Sequence, residues 1–338
     1  MDLETIKAAQ RIVYQSMAPT PQYRWPLLAQ ATGADVVVKH ENHTPTGAFK
    51  LRGSLNFMAW LKSTEPACRG IVTATRGNHG QGQALAATRN GLIAKIFVSH
   101  GNSTEKNAAM ASFGAQLSEF GADFDEAKLE AHRVAQAEGL FFVPPFHRAL
   151  VAGVASYAVE LFEAVKDIDT VYVPIGCGSG ICAVIHVRDA LGLSTEVVGV
   201  VAQGADYALR SFEAGRPVSS DRAETFADGV AVREPIPEAF AIYGKGAARI
   251  VAVSDDAIAQ AMRLYFRTTH NVIEGAGAAP LAALMAEAER MKGKRCAVIA
   301  CGANVDTDVF QEVLAGRTPS AKAALPSQKP APQGTIAA

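Results

Sequence analysis

The sequence predicts an α/β protein of two lobes, each a parallel sheet covered by helices on both faces, in three αβα layers. Short β-branched runs alternate with longer Ala-rich helical stretches, as in repeated βαβ units. The runs are apolar almost throughout, as expected of strands buried on both faces. A length of 338 residues, 49% of them hydrophobic, is enough for about two domains with large cores.

In chain order, the first strand is ADVVVKH (34–40). TGAFKLRG (46–53) follows, with Lys50 at the start of a helical pattern among apolar Ala48, Phe49 and Leu51. A lysine becomes a nucleophile or base only when its ammonium is desolvated or otherwise tuned, and this flank is compatible with that. GIVTAT (70–75) runs into TRGNHGQG (75–82), where Asn78 and the backbone near Gly77 and Gly80 can offer donors to a carboxylate or phenolic oxygen at a helix start. That helix is expected to end at Asn90-Gly91 in a left-handed cap. After IAKIFVS (93–99), the strand TVYVPI (170–175) leads into GCGSG (176–180) and another helical pattern. Glycines there let backbone N–H groups converge on a phosphate at a helix N-terminus. A Walker loop would continue Gly-Lys-Ser/Thr, and a dinucleotide loop would place glycine where Ile181 stands, so a single phosphate monoester is the better match. EVVGVVA (196–202) and RCAVIAC (295–301) complete the strands, the last running into CGAN (301–304). Ligands are expected in the cleft between the lobes, at the carboxyl ends of strands.

Composition removes several alternatives. Thirty-two Lys+Arg against 33 Asp+Glu give a net charge of −1 and no basic run, so no nucleic-acid partner is expected. No apolar stretch reaches the roughly 18 residues of a membrane span, and MDLETIKAAQ is charged where a signal peptide is apolar, so a cytoplasmic protein is expected. The five cysteines read as reduced thiols, and no CxxC pair or His-x-x-x-His completes a zinc set. From Arg317 onward, Pro, Ala and polar residues predict a disordered tail over 317–338.

Taken in order, the lysine loop, the Asn-Gly loop, the glycine loop and the last strand end resemble the fold type II pyridoxal-phosphate enzymes (tryptophan synthase beta-like), specifically the serine/threonine dehydratase and serine racemase group. The resemblance runs from about residue 15 to 315. It implies a large cofactor-binding domain (1–50 and 148–316) and a small substrate-loop domain (51–147). It further implies pyridoxal 5'-phosphate as cofactor, with Lys50 as the cofactor-bearing lysine and Cα base and Phe49 beside the ring. Gly176, Cys177, Gly178, Ser179 and Gly180 would form the phosphate cup, Cys177 by its backbone alone. Asn78 would bond the phenolic oxygen, and Cys301 would occupy the place of a serine beside the pyridine nitrogen. Thr75, Arg76, Gly77 and His79 would line the substrate. The implied activity is dehydration of a β-hydroxy amino acid such as L-threonine or L-serine to a 2-oxo acid and ammonia, by a homodimer.

Departures from the group's pattern narrow this. A thiol is a weak donor and cannot keep a pyridine nitrogen protonated as a carboxylate would, which favours elimination over transamination. Arg76 stands where racemase-like members carry a proton-returning serine; a guanidinium stays charged, so racemisation is disfavoured and a carboxylate grip becomes available. That raises 3-hydroxyaspartate as an alternative substrate, and Val154, where relatives have Gln, raises 3-phenylserine. Val201 and Tyr207 stand where relatives place metal-binding acids, so no divalent metal site is expected. Asp228-Gly229 and Glu274-Gly275 resemble further cofactor-edge segments, or serve simply as turns.

Overall fold

β-Branched runs have made strands, and the computed structural model, which describes residues 1–221 and 223–321, sorts them into two sheets. The strands are β1 (Gln22–Arg24), β2 (Asp35–His40), β3 (Gly70–Ala74), β4 (Ile93–Val98), β5 (Gln116–Glu119), β6 (Phe141–Phe142), β7 (Thr170–Pro174), β8 (Glu196–Ala202), β9 (Arg249–Val253) and β10 (Arg295–Ala300). The larger sheet has the order β1-β2-β10-β7-β8-β9 and the smaller β5-β4-β3-β6. All pairings are parallel except β1 with β2. β1, β5 and β6 lie outside the sequence expectation: three polar residues, QLSE and a Phe pair are too short or too polar to carry a period. β9 is also additional; its RIVAV run is apolar but lies at the sheet edge.

The larger sheet is buried on both faces, with Val36, Val38, Val171, Val173, Val198, Val200 and Val298 all at 1% exposure or less. Each such side chain withdrawn from water contributes on the order of 1.5–3 kcal/mol, offset by ordering entropy. Helix Ser179–Ala190 packs on it and on helix Arg148–Ala164. The helix after β3 spans Asn78–Arg89 and is followed by Gly91 at φ +70, the expected left-handed exit.

Parallel strands share one carboxyl edge. At that edge of the larger sheet β10 lies between β2 and β7, although it is drawn from the far end of the chain. The segments leaving β2, β10 and β7 therefore emerge side by side, and these carry Lys50, Cys301 and the 176–180 loop. Of the expected tail, Arg317 donates its N–H to Glu312 and Thr318 its hydroxyl to Asp256, so its first residues are tied down. Residues 322–338 lie outside the described residues.

Candidate active site

The lysine segment is fastened to the segment after β10 by backbone. Gly47 accepts from the Ala303 N–H (2.8 Å), Phe49 donates to the Cys301 carbonyl (3.0 Å), and Ala48 forms an isolated antiparallel bridge with Gly302. Thr44 Oγ1 both accepts from and donates to the Ala48 backbone at 2.8 Å, closing the turn. Gly47 sits at φ +67, where a Cβ would also lie 2.8 Å from Asn304 Oδ1, so glycine is required twice over. The helix Lys50–Thr64 then starts at Lys50, whose Nζ lies 5.1 Å from the Phe49 ring centroid.

At one end of the site is the glycine loop. Gly178 has φ +89, and a Cβ on Gly176 would come within 2.2 Å of the Gly229 carbonyl. Tyr207 donates its hydroxyl to the Gly176 carbonyl, and Tyr157 donates to Gly180 at 3.2 Å. The Phe49 ring lies 3.8 Å from where a Cβ on Gly180 would stand. No side chain caps the helix that starts at Ser179. A glycine-rich loop at an uncapped helix N-terminus fits a phosphate group. Burial pushes the Cys177 thiol up, opposed by the Lys50 charge.

The other end is built from side chains. Asn78 donates Nδ2 to both Glu274 oxygens (2.8 and 3.1 Å) and accepts on Oδ1 from Asn304 Nδ2 (2.8 Å), which also donates to the Thr46 carbonyl. Cys301 Sγ lies 3.9 Å from Glu274 Oε1. Burial, and then the Glu274 charge, push the Cys301 thiol well up. Thr75 Oγ1 accepts from the Gly77 N–H (3.0 Å) and the Gly80 N–H (3.3 Å), holding the turn between them. A Cβ on Gly77 would press on the Lys106 stem at 2.9 Å, and the Lys106 ammonium pairs with Asp228. Burial and the Lys50 charge hold His79 down to about 3, and its buried Nε2 has no hydrogen-bond partner among the described residues. Arg76 is exposed. Thus the Lys50 charge acts on groups from all three other motifs, His79, Cys177 and Cys301.

Several partners were not visible as motifs. Arg52, about 200° around the helix from Lys50, points into the interior. It donates to Glu41 (2.7 and 3.0 Å), Glu160 (2.7 and 2.9 Å), Ser156 (2.9 Å) and Thr20 (3.1 Å). Lys39 completes the cluster against Glu160, giving two buried cations against two buried carboxylates. The signal that could have revealed Arg52 is its place in the helix turn that opens with Lys50. For Tyr207 no such local signal exists, and Asn304 lies in the CGAN segment without a sign of its partner.

The chain matches the model of a family described as pyridoxal-phosphate dependent enzyme over residues 13–302. It belongs to that family. The enzyme is 34% identical over 313 residues to an L-threonine ammonia-lyase of Thermotoga maritima, covering 92% of this chain and 78% of that protein. It is 35% identical over 305 residues to an L-threonine dehydratase (biosynthetic) of Pasteurella multocida, spanning 89% of this chain but only 59% of that longer relative. Its fold is similar to that of the processed form of threonine deaminase isoform 2 from Solanum lycopersicum, with TM-score 0.86, 30% identity and 94% of each chain covered. It is thus a fold type II pyridoxal-phosphate enzyme, with pyridoxal phosphate as its cofactor and threonine ammonia-lyases and dehydratases among its relatives.

Proposed function

We propose that this enzyme is an ammonia-lyase that dehydrates a β-hydroxy amino acid of the L-threonine or L-serine type. The observation that carries the reading is the convergence of Lys50 with Asn78, Cys301 and the glycine loop, with an exposed arginine where a second proton donor would be needed for racemisation. The names of the relatives support threonine. Bound pyridoxal phosphate supplies an electron sink for the pair left when the Cα–H bond breaks. Gly176, Cys177, Gly178, Ser179 and Gly180 would hold its phosphate through backbone N–H groups, with Phe49, Asn78 and Cys301 around its ring. Lys50 removes the Cα proton, an equivalent proton is delivered to the β-hydroxyl as its C–O bond breaks so that it leaves as water, and the released enamine takes up water to give a 2-oxo acid and ammonia. Thr75, Gly77 and His79 position the substrate, and exposed Arg76 is available to a carboxylate. Val154 is buried, with Cγ2 3.1 Å from the Cβ position of Gly53.

We assign the two lobes to residues 1–50 with 148–316 and to 51–147, the strands of the smaller sheet all falling between 70 and 142. We also take the enzyme to be a cytoplasmic homodimer; sedimentation of the holoenzyme tests the dimer. Among the described residues no helix is long and apolar enough to cross a membrane.

The deciding experiment measures 2-oxo acid and ammonia release from L-threonine, L-serine, the 3-hydroxyaspartate stereoisomers and 3-phenylserine. Preference for threonine or serine supports the reading. Preference for hydroxyaspartate that is lost in Arg76→Ala transfers specificity to Arg76, and no release from any substrate overturns the lyase assignment.

A further inference from the structure

Glu274 occupies the N-cap position of the helix Gly275–Ala286, with extended backbone at φ −69 and ψ 164, yet its side chain makes no capping hydrogen bond. An acid in that position ordinarily turns back on its own helix. Here the carboxylate instead turns away, takes the Asn78 Nδ2 on both oxygens and stands beside Cys301 Sγ. The backbone makes room for this. Glu274 donates its N–H to the Gly302 carbonyl at 3.0 Å, and a Cβ on Gly302 would come within 2.4 Å of Glu274 Oε1. The Asn78 amide is thereby held from both sides, its Oδ1 by Asn304 and its Nδ2 by Glu274.

We propose that Glu274 is a positioning residue for the cofactor ring: it locks the Asn78 amide so that its second Nδ2 hydrogen stays free for the phenolic oxygen, and it links that amide to Cys301. The proposal rests on the reading that Asn78 and Cys301 flank the ring. It requires no direct contact between Glu274 and the cofactor.

The surroundings also make the carboxyl responsive. Burial pushes it up to about 7, with Asp228 adding to the rise, while Lys106, Asn78 and Lys50 oppose it. These groups come from the helix Thr104–Ser112, the turn at 228–230, the helix start at Lys50 and the loop at Asn78; Cys301, from the segment after β10, completes the set. Below that pH the carboxyl is neutral and one of its oxygens carries a proton, which weakens its hold on Asn78. Above it the anion accepts fully.

The test is a double-mutant cycle read by pyridoxal phosphate affinity. Glu274→Gln is expected to weaken pyridoxal phosphate binding about tenfold when Asn78 is present and less than about twofold in an Asn78→Ala background, because the effect passes through Asn78. Equal penalties in both backgrounds, or none in either, overturn the proposal. Should Glu274→Gln fail to fold, Lys106→Met leaves the carboxyl in place and removes its principal cation. The pH at which the bound cofactor's absorbance changes, near 7 in the parent, should then rise by about one unit, and an unmoved midpoint overturns the proposal. Affinity and absorbance do not depend on turnover. Loss of the dehydratase reading, shown by a parent enzyme that releases no 2-oxo acid, is therefore a separate result.

Discussion

The two ends of the site are built by opposite means. Around Gly176 and Gly178 the wall is backbone, shaped by the absence of side chains and braced from behind by the Tyr157 and Tyr207 hydroxyls. Around Asn78 it is a relay of side chains, Asn304, Asn78, Glu274 and Cys301, with Lys106 and Asp228 next to it. A backbone-built wall recognises an anion through fixed dipoles and depends little on pH. A wall of buried ionisable groups depends on residue identity and on protonation. Lys50 stands between them, and a buried charge cluster fixes the helix that carries it.

Lys50 belongs to both ends, so Lys50→Ala should abolish the comparison altogether: turnover falls by about 10³-fold or more and the absorbance of lysine-bound cofactor disappears, both measured on the purified protein. Next in size is the support beneath. Arg52→Met leaves Glu41 and Glu160 facing Lys39 alone, and breaking such a buried cluster costs about 3–5 kcal/mol, read as a lowered midpoint in urea.

Acid should act on buried ionisable groups, His79 and Glu274 at the side-chain end and His40 on β2. Burial holds His79 down to about 3 and His40 down to about 4, so both are neutral when folded and bind protons on unfolding. Their contribution to stability is present above about 6.5 and is lost as pH falls toward 4 and 3. Glu274 has the opposite sign: it is raised to about 7, and its contribution is present below about 4.5 and lost as pH rises to 7. Between about 4.5 and 6.5 the two histidines outweigh the one carboxyl by one proton, and these groups together should make stability fall by about 1.4 kcal/mol per unit of acidification. Urea titrations of parent and His79→Asn across that range, with a shallower slope in the variant, check this. The smallest effects separate backbone from side chain at the other end. Gly176→Ala drives a Cβ toward the Gly229 carbonyl and should cost about 1–3 kcal/mol with weakened cofactor binding, whereas Cys177→Ala next to it should leave affinity within about twofold. Comparable losses in both would mean that the loop does not work through its backbone.

The backbone-built end was the more legible one. GCGSG sits between a β-branched strand and a helical run, and each glycine's task there is local. Lys50 at a helix start and Asn78 at another were legible for the same reason. Glu160 was not, because it lies in the middle of a helix and meets Arg52 across 108 residues. Glu274 read equally well as a turn residue, since its partner Asn78 is 196 positions away. Asn304 and Tyr207 gave no sign of their contacts with Asn78 and Gly176. Arg76 illustrates the converse: its residue type suggests a grip on a carboxylate, and only the fold shows that the residue is exposed.

By itself, then, the sequence determined the central parallel strands, the positions of the loops at their ends and the residue types each loop carries, because propensity, burial pattern and glycine geometry act over a few residues. The tertiary structure decided which loops meet. By inserting β10 between β2 and β7 it set Cys301 beside the lysine segment, and by carrying Glu274 out of its own helix cap it joined Asn78 to Cys301. These are long-range choices of strand order and charge pairing, made because buried ladders and buried charges must each find a partner wherever in the chain it lies.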